Sequence, residues 1–420
     1  MSPGPITHWM GDLLHRLKLS LFTRPIRHAQ APKVSLLDLL GRRAINLDTP
    51  ELQRFLGGKR VLVTGAGGSI GSEICRQTMK FCPKSLIMLD RCENALFEID
   101  QELRDRWLGA DLRPMMADIC DRTRIEQILA DEQPQVVFHA AAHKHVPMME
   151  HNPGEAIKNN VFGTRIVADA SRSAGVGAFV MISTDKAVNP TSVMGATKRV
   201  AELYVQSLNC QPPAADLRLS SLGNRKSAIG SSQTRFVAVR FGNVLGSSGS
   251  VVPIFQRQIA AGGPVTVTHS EMRRYFMTIP EASQLVMQAG AIGQGGEIFV
   301  LNMGEPVKIL DLAHEMIRRH GLVIGKDIEV RITGMRPGEK LFEELANDTD
   351  QTAPTAHPKI GVWKLPRYSH AQATEMLNQL AGVTQSSRDA IIATLMQAVP
   401  EYQPGNLPAP RGPVLVTEAA

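Results

Sequence analysis

The chain has 420 residues, 43% of them hydrophobic and 20% charged, an ordinary globular composition that excludes a disordered or fibrous polypeptide for its bulk. No uncharged apolar run approaches the ~18 residues of a membrane-spanning helix, and Asp12, His15, Arg16 and Lys18 interrupt any signal-peptide core near the N-terminus. Of the 46 Lys/Arg and 40 Asp/Glu, ten and four fall in residues 1–60, leaving 36 of each in the remainder. The neutral remainder argues against nucleic acid as a partner and leaves the basic N-terminal arm to meet any acidic surface.

In chain order, residues 1–58 read as that arm. Trp9, Leu13, Leu14, Leu17, Leu19 and Phe22, with Arg16 and Lys18 among them, suit a basic amphipathic helix. It would pack on the body or a partner subunit, or make a peripheral membrane contact. From Lys59 strands alternate with helices: Arg60–Thr64, Ser85–Asp90, Met115–Asp118, Val136–Ala142, Ala178–Ser183 and Arg235–Phe241 as strands. Ser69–Phe81, Glu93–Trp107 and Arg122–Asp131 have helical spacing. Such alternation predicts an α/β fold, a doubly wound parallel sheet of Rossmann type over 59–242. Residues 210–233 read as a surface insertion, 243–402 as a smaller substrate-binding part with C-terminal helices, and 403–420 as a loose tail. The cysteines Cys75, Cys82, Cys92, Cys120 and Cys210 form no CxxC pair. An odd, scattered set argues against disulfides or zinc and for a reducing, cytoplasmic setting. No metal-binding spacing stands out.

Thr64-Gly-Ala-Gly-Gly-Ser-Ile-Gly71 follows the first strand and opens a helix. In that context Gly65 serves the tight turn, Gly68 admits the backbone to a pyrophosphate, and Gly71 allows close helix–strand packing. The N–H groups at Ser69 and Ile70 begin the helix that faces the anion. Asp90 closes the second strand, where a carboxylate accepts the adenosine ribose hydroxyls and repels a 2′-phosphate, favouring NAD over NADP. Arg91 works against that preference. Asp118 and Ile119 are candidates at the adenine, and Ala140 and Ala142, at the end of the fourth strand, are candidates beside the cofactor.

After the fifth strand come Ser183-Thr-Asp-Lys-Ala187 and Met194-Gly-Ala-Thr-Lys198. The second segment resembles the Tyr-x-x-x-Lys of extended short-chain dehydrogenases, with Met194 standing for the Tyr and Lys198 kept. Ala140-Ala-Ala-His-Lys-His-Val-Pro-Met-Met-Glu150, Asn159-Asn160, Arg240-Phe-Gly-Asn-Val-Leu-Gly246, Arg273-Arg-Tyr-Phe-Met-Thr-Ile-Pro-Glu281, Arg336-Pro-Gly-Glu-Lys340 and His357-Pro-Lys-Ile360 extend the likeness. Together they resemble the CapD-type polysaccharide-biosynthesis family, and within it the UDP-N-acetylglucosamine 4,6-dehydratases that carry Met in place of Tyr. Long members of that family add transmembrane helices and a further N-terminal domain, so membrane anchoring is not carried over.

The resemblance implies a reaction. C4 of the sugar is oxidised, the acidified C5 proton is removed as the C6 hydroxyl leaves as water, and hydride returns to C6. Asp185 is then the acid toward the C6 hydroxyl and Lys186 the base at C5, which requires a depressed Lys186 pKa. Thr184 orients the C4 hydroxyl, since the Met194 thioether has no acid–base function, and Lys198 holds the nicotinamide ribose. Arg273, Arg274 and Arg336 are candidates for the diphosphate, Glu339 for the uridine ribose, Asn243 for phosphate or sugar, and His143, Lys144 and His145 for the site wall. The resemblance implies a UDP-sugar substrate, retention at C5, and a homodimer or higher homo-oligomer. Two other readings stay open: a UDP-sugar 4-epimerase of the same fold, and a non-catalytic NAD- or nucleotide-sugar-binding regulator.

Overall fold

The computed structural model describes residues 49–210, 233–344, 352–363, 368–405 and 414–416. The amphipathic stretch of the arm, nearly all of the 210–233 insertion and most of the tail lie outside the described residues.

Helix α1 (Pro50–Leu56) leads into β1 (Arg60–Thr64), α2 (Ser69–Met79), β2 (Ser85–Asp90), α3 (Glu93–Arg106), β3 (Leu112–Met116), α4 (Arg122–Glu132) and β4 (Val136–His139). Next come α5 (Val146–His151), a helical stretch with a π-helical segment at Ile157–Gly163, α6 (Thr164–Ser173), β5 (Ala178–Ile182), α7 (Val193–Ser207) and β6 (Arg235–Arg240). These six strands are parallel and ordered 3-2-1-4-5-6, so the strand order reverses between β1 and β4. Crevices at such a reversal, outside the strands' carboxyl ends, are where open α/β sheets bind ligands.

Val61 and Val63 point into one core, with Leu86, Met88, Phe138 and Val180. Leu62 points into the other, with Ile87, Val137, Phe179 and Phe236. Because both faces are covered, the strands are apolar at every position instead of alternating.

Two strands differ from the sequence expectation by more than one residue, and the fifth and sixth each end one residue earlier than expected. The third strand begins at Leu112, not Met115, and runs through Pro114. It is the last strand of its sheet, where a proline's missing N–H costs no ladder bond. The fourth stops at His139 because its partner strand ends at the paired Thr64; the Ala140 N–H bond to the Thr64 carbonyl (3.1 Å) is the last rung of that ladder.

The remaining chain adds β7 (Asn243–Leu245), α8 (Val251–Ala260), β8 (Val265–Val267), β9 (Arg273–Arg274), β10 (Phe276–Thr278) and α9 (Ile279–Ile292). It continues through β11 (Ile298–Leu301), β12 (Val307–Lys308), α10 (Ile309–Arg319), β13 (Val330–Ile332), β14 (Thr352–Pro354), β15 (Ile360–Trp363), α11 (His370–Ala381), α12 (Arg388–Ala398) and β16 (Val414–Val416). β11 joins the main sheet beside β6 in parallel, and β15 and β14 follow antiparallel. Short strand pairs and a separate apolar cluster around Leu245, Phe255, Val265, Phe276 and Met316 make up a second, smaller packing unit.

His139 ties β1, β4 and α6 together. Thr164 donates its hydroxyl proton to the Asn160 carbonyl (2.7 Å), so His139 Nε2–H donates to Thr164 Oγ1 (2.9 Å) and Nδ1 accepts from Thr64 (2.8 Å). Burial, with the Lys198 charge adding to it, pushes this ring down to about 3 from 6.5. The unfolded chain protonates His139 below 6.5 while the folded chain does not, so stability falls as pH drops through the interval down to about 3. The expected slope from this residue is about 1.4 kcal/mol per pH unit. Urea unfolding at a series of pH values should show His139→Asn with a shallower acid slope than the unaltered chain.

Candidate active site

The glycine turn is built for close approach. Gly65 has φ +68°, and a Cβ there would lie 2.7 Å from Ala141 N. A Cβ on Gly71 would lie 2.0 Å from the Gly65 carbonyl oxygen, which no side chain survives. Gly68 caps α2 with no side-chain acceptor on the first turn, so those N–H groups are open to an anion. The Asp90 carboxylate accepts from Gly67 N and Cys92 N (both 2.9 Å) and is thereby fixed beside the turn. Arg91 reaches Asp118 (3.7 Å) and the His143 ring (3.3 Å). Ile119 is buried, against the place where a Gly163 side chain would sit. Ala140 and Ala142 follow β4 beside the turn. These residues fit a dinucleotide: a turn only glycine can make, free helix N–H groups, and a carboxylate held at the end of β2.

Across the crevice, α7 presses against the segment after β5. A Cβ on Gly195 would lie 2.1 Å from the Lys186 carbonyl oxygen. Lys198 Nζ donates to the Ile182 carbonyl (2.7 Å), and burial pulls its pKa down to about 8 against the opposing charge of Glu202. Met194 is 3% exposed and belongs to the apolar core. Asn160, from the π-helical segment, bonds both the N–H and the carbonyl of His143 (2.8 and 3.0 Å) and Thr197 Oγ1 (3.2 Å). It thus ties the His143–Lys144 loop to α7. His145 packs on the loop at Gly249, whose neighbour Ser248 donates its N–H to Ser69 (3.2 Å).

The densest cluster of charge is at Asp185 and Lys186. Thr184 donates to Asp185 Oδ1 (2.8 Å), and Lys186 Nζ lies 3.1 Å from the same oxygen. Lys186 also reaches Glu343 Oε1 (2.6 Å) and Asn243 Oδ1 (3.4 Å). Asn243 Nδ2 donates to Glu343 Oε2 (3.0 Å), and Arg274 Nε pairs with Glu343 Oε1 (3.1 Å). Asn243 therefore sits with Lys186 and Glu343. Arg274 also donates to the carbonyls of Lys340 (2.7 Å) and Leu341 (3.2 Å), so its fork is engaged with this segment while Arg273 is exposed. Arg336 and Glu339 bond each other within one turn (2.9 Å); Arg336 is exposed and Glu339 half-buried.

The electrostatics reverse one expectation. Lys186 as a base calls for a depressed pKa, and burial does pull it down, yet the charges of Asp185 and Glu343 outweigh burial and hold it above its ordinary value. Burial pulls Asp185 the other way, but the Lys186 charge and the hydrogen bonds around it keep that carboxyl below the usual range. Glu343, which the sequence reading missed, is pushed up to about 7 by burial and by Asp185. Its signal lay three residues beyond Arg336-Pro-Gly-Glu-Lys340, in a segment that only the tertiary fold brings to β5. Among the described residues no group of three His, Cys, Asp or Glu is arranged to hold a metal, and no helix is long and apolar enough to cross a membrane.

A doubly wound sheet with a glycine turn after β1 and a Thr-Asp-Lys segment after β5 defines an extended short-chain dehydrogenase/reductase, a class that includes nucleotide-sugar dehydratases and epimerases. The polysaccharide biosynthesis protein family matches residues 61–364, and the chain belongs to that family. It is 51% identical to the capsular polysaccharide biosynthesis protein CapD of Staphylococcus aureus over 83% of this chain and 55% of that one. The chain spans about half the length of the first curated relatives it matches. An inverting UDP-N-acetylglucosamine 4,6-dehydratase of Campylobacter jejuni is 33% identical over 70% of this chain and 80% of its own. A UDP-glucose 4-epimerase of Rickettsia akari is 30% identical over 73% and 83%. Among solved structures, Pen from Bacillus thuringiensis superposes with a TM-score of 0.65 at 32% identity, covering 78% of this chain and 98% of Pen.

Proposed function

We propose that the chain is a nucleotide-sugar 4,6-dehydratase that converts UDP-N-acetylglucosamine to the UDP-4-keto-6-deoxy sugar, with retention at C5, for polysaccharide synthesis. The observation that carries this reading is the hydrogen-bonded Thr184–Asp185–Lys186 arrangement at the carboxyl end of β5, with Asp185 buried between its two neighbours. Elimination across C5–C6 needs an acid and a base together, whereas exchange of configuration at C4 alone needs no base at C5. The 33% likeness to a protein named for this activity supports the same reading.

NAD is the cofactor of this proposal, held by the Gly65–Gly71 turn, Asp90 and Lys198. Arg91 faces Asp118 and His143, an engagement that favours NAD over NADP. When bound, the dinucleotide takes hydride from C4 and gives it back at C6. The protein's own residues handle protons. Thr184 receives the C4 hydroxyl proton and passes its own to Asp185. Lys186 works at C5, and Asp185 protonates the departing C6 hydroxyl. Arg273 and Arg336 meet the diphosphate, with Glu339 at the uridine ribose and His143 and Lys144 along the wall. A cytoplasmic homo-oligomer, with the arm available for peripheral membrane contact, completes the proposal.

Purified protein incubated with UDP-N-acetylglucosamine in heavy water should give a product lighter by one water and carrying solvent deuterium at C5, followed by mass spectrometry and proton NMR. The NMR couplings report the configuration at C5. A product isomeric with the substrate identifies an epimerase instead, and binding without any new product identifies a non-catalytic binder.

A further inference from the structure

Lys186 as found is an ammonium flanked by two carboxylates, and an ammonium cannot remove the C5 proton. We propose that Glu343 takes the Lys186 ammonium proton and holds it while the amine works at C5, acting as a positioning residue for the base. This inference rests on the dehydratase reading and deepens it.

The geometry supports a transfer. Nζ of Lys186 lies 2.6 Å from Glu343 Oε1, closer than its 3.1 Å contact with Asp185 Oδ1. The Glu343 side chain is only 3% exposed, so the proton stays inside the site. Asn243 and Arg274 fix the carboxyl through bonds of 3.0 and 3.1 Å. Asp185 Oδ2 is buried with no donor directed at it, and the bare backbone of Gly242 leaves it room. A proton relayed by Thr184 arrives at the other oxygen, Oδ1, where the Thr184 hydroxyl already donates (2.8 Å).

The proton count closes. In the active form Lys186 is charged and both carboxylates are ionised. Oxidation at C4 removes a hydride from carbon and releases the hydroxyl proton, which reaches Asp185 through Thr184. Protonated Asp185 no longer holds Lys186 as a cation, so the ammonium proton moves to Glu343 and leaves a neutral amine. The amine takes the C5 proton, the C6–O bond breaks with its electron pair on oxygen, and Asp185 supplies the proton that makes water. After hydride arrives at C6, the Lys186 ammonium returns its proton to C5 and Glu343 returns its own to Lys186. The sugar loses one water, formed from the O4 proton and the C6 hydroxide, and every protein group ends as it began.

The groups facing Glu343 are Asp185, Lys186 and Arg274, with Tyr275 nearby. Burial and Asp185 bring it to about 7, where a proton can be both taken and given back.

Glu343→Gln keeps the shape and removes the proton acceptor. Its kcat near neutral pH should fall about 100-fold and keep climbing well above neutrality, as Lys186 must then lose its proton to solvent, while the unaltered enzyme levels off once Glu343 is ionised above about 7. A purely structural role would lower kcat by the same factor at every pH, and that result overturns the proposal. A second measurement needs no substrate, and its first arm needs no variant: infrared titration of the unliganded, unaltered protein should show a buried carboxyl losing its proton as pH passes through neutrality. The band should be absent from Glu343→Gln and present in Lys198→Met. Absence of that titration from the unaltered protein also overturns the proposal. If the unaltered protein shows the titration but forms no dehydrated product, the dehydratase reading fails and the proton-holding carboxyl stands.

Discussion

Lys186→Ala should lose roughly 10⁴-fold in the rate of water elimination, the upper end of what a placed proton-transfer group contributes, while still binding dinucleotide and UDP-sugar. The reason is positional. Lys186 bonds Asp185, Asn243 and Glu343, and no residue of the glycine turn is among these partners. Truncation removes the base and also the cation between two buried carboxylates, so Asp185 and Glu343 should both take up protons more readily. The variant therefore keeps an acid and loses its base, and solvent deuterium should no longer enter at C5. A small primary amine added to the solution should restore part of the exchange. Equilibrium titration with each ligand and deuterium NMR of the sugar check the two halves of the expectation. Normal turnover by Lys186→Ala removes this residue from the mechanism, and loss of ligand binding makes it a structural cation instead.

How much of this site could be read from residues alone depends on how local each feature is. The glycine turn, Asp90, Thr184-Asp-Lys186 and Lys198 are written within single strand–turn–helix units, where neighbours in sequence are neighbours in space, and the first two strands appear at the expected residues. Met194 was legible as a departure from Tyr, but not that its side chain would sink into the apolar core. Glu343 was invisible because its role comes from a meeting of β5 with a segment far along the chain; Lys340, close by, bonds the Val188 carbonyl across 152 positions. The direction of the Lys186 pKa was misjudged for the same reason. One carboxylate next in sequence is readable, and a second delivered by the tertiary fold is not. Arg274 shows the converse case: the Arg-Arg pair reads as an anion site in sequence, and only the fold shows that one guanidinium also bonds the Lys340 and Leu341 carbonyls and Glu343.

Glu202→Gln should destabilise the fold by about 3–5 kcal/mol, the range for removing one partner of a buried ion pair. Glu202 is fully buried on α7, one turn after Lys198. Both its oxygens face Arg240, which is 1% exposed, with Arg240 Nε at 2.6 Å from Oε1 and Nη2 on Oε2. Ser183 donates to Oε1 (2.6 Å) and Arg199 to Oε2 (3.4 Å), while Arg199 also reaches Glu401 (2.9 Å). Arg240 lies over the Trp363 ring at 3.9 Å, so its cation has no path to water when the carboxylate goes. The amide introduced by Glu202→Gln would offer one acceptor oxygen where four donors converge and would turn its N–H₂ toward guanidinium. Urea unfolding should show a lower midpoint with the same m-value. Replacing both partners, Glu202→Leu with Arg240→Met, should cost less than the single change, because no unpaired charge is left inside. The same carboxylate is the charge that holds Lys198 up against burial, so its loss should lower the Lys198 pKa further below about 8 and weaken dinucleotide binding at neutral pH. A single variant as stable as the unaltered chain would mean that water reaches Arg240 and that this network is not sealed; a double variant worse than the single would mean that packing around Trp363, not charge, sets the cost.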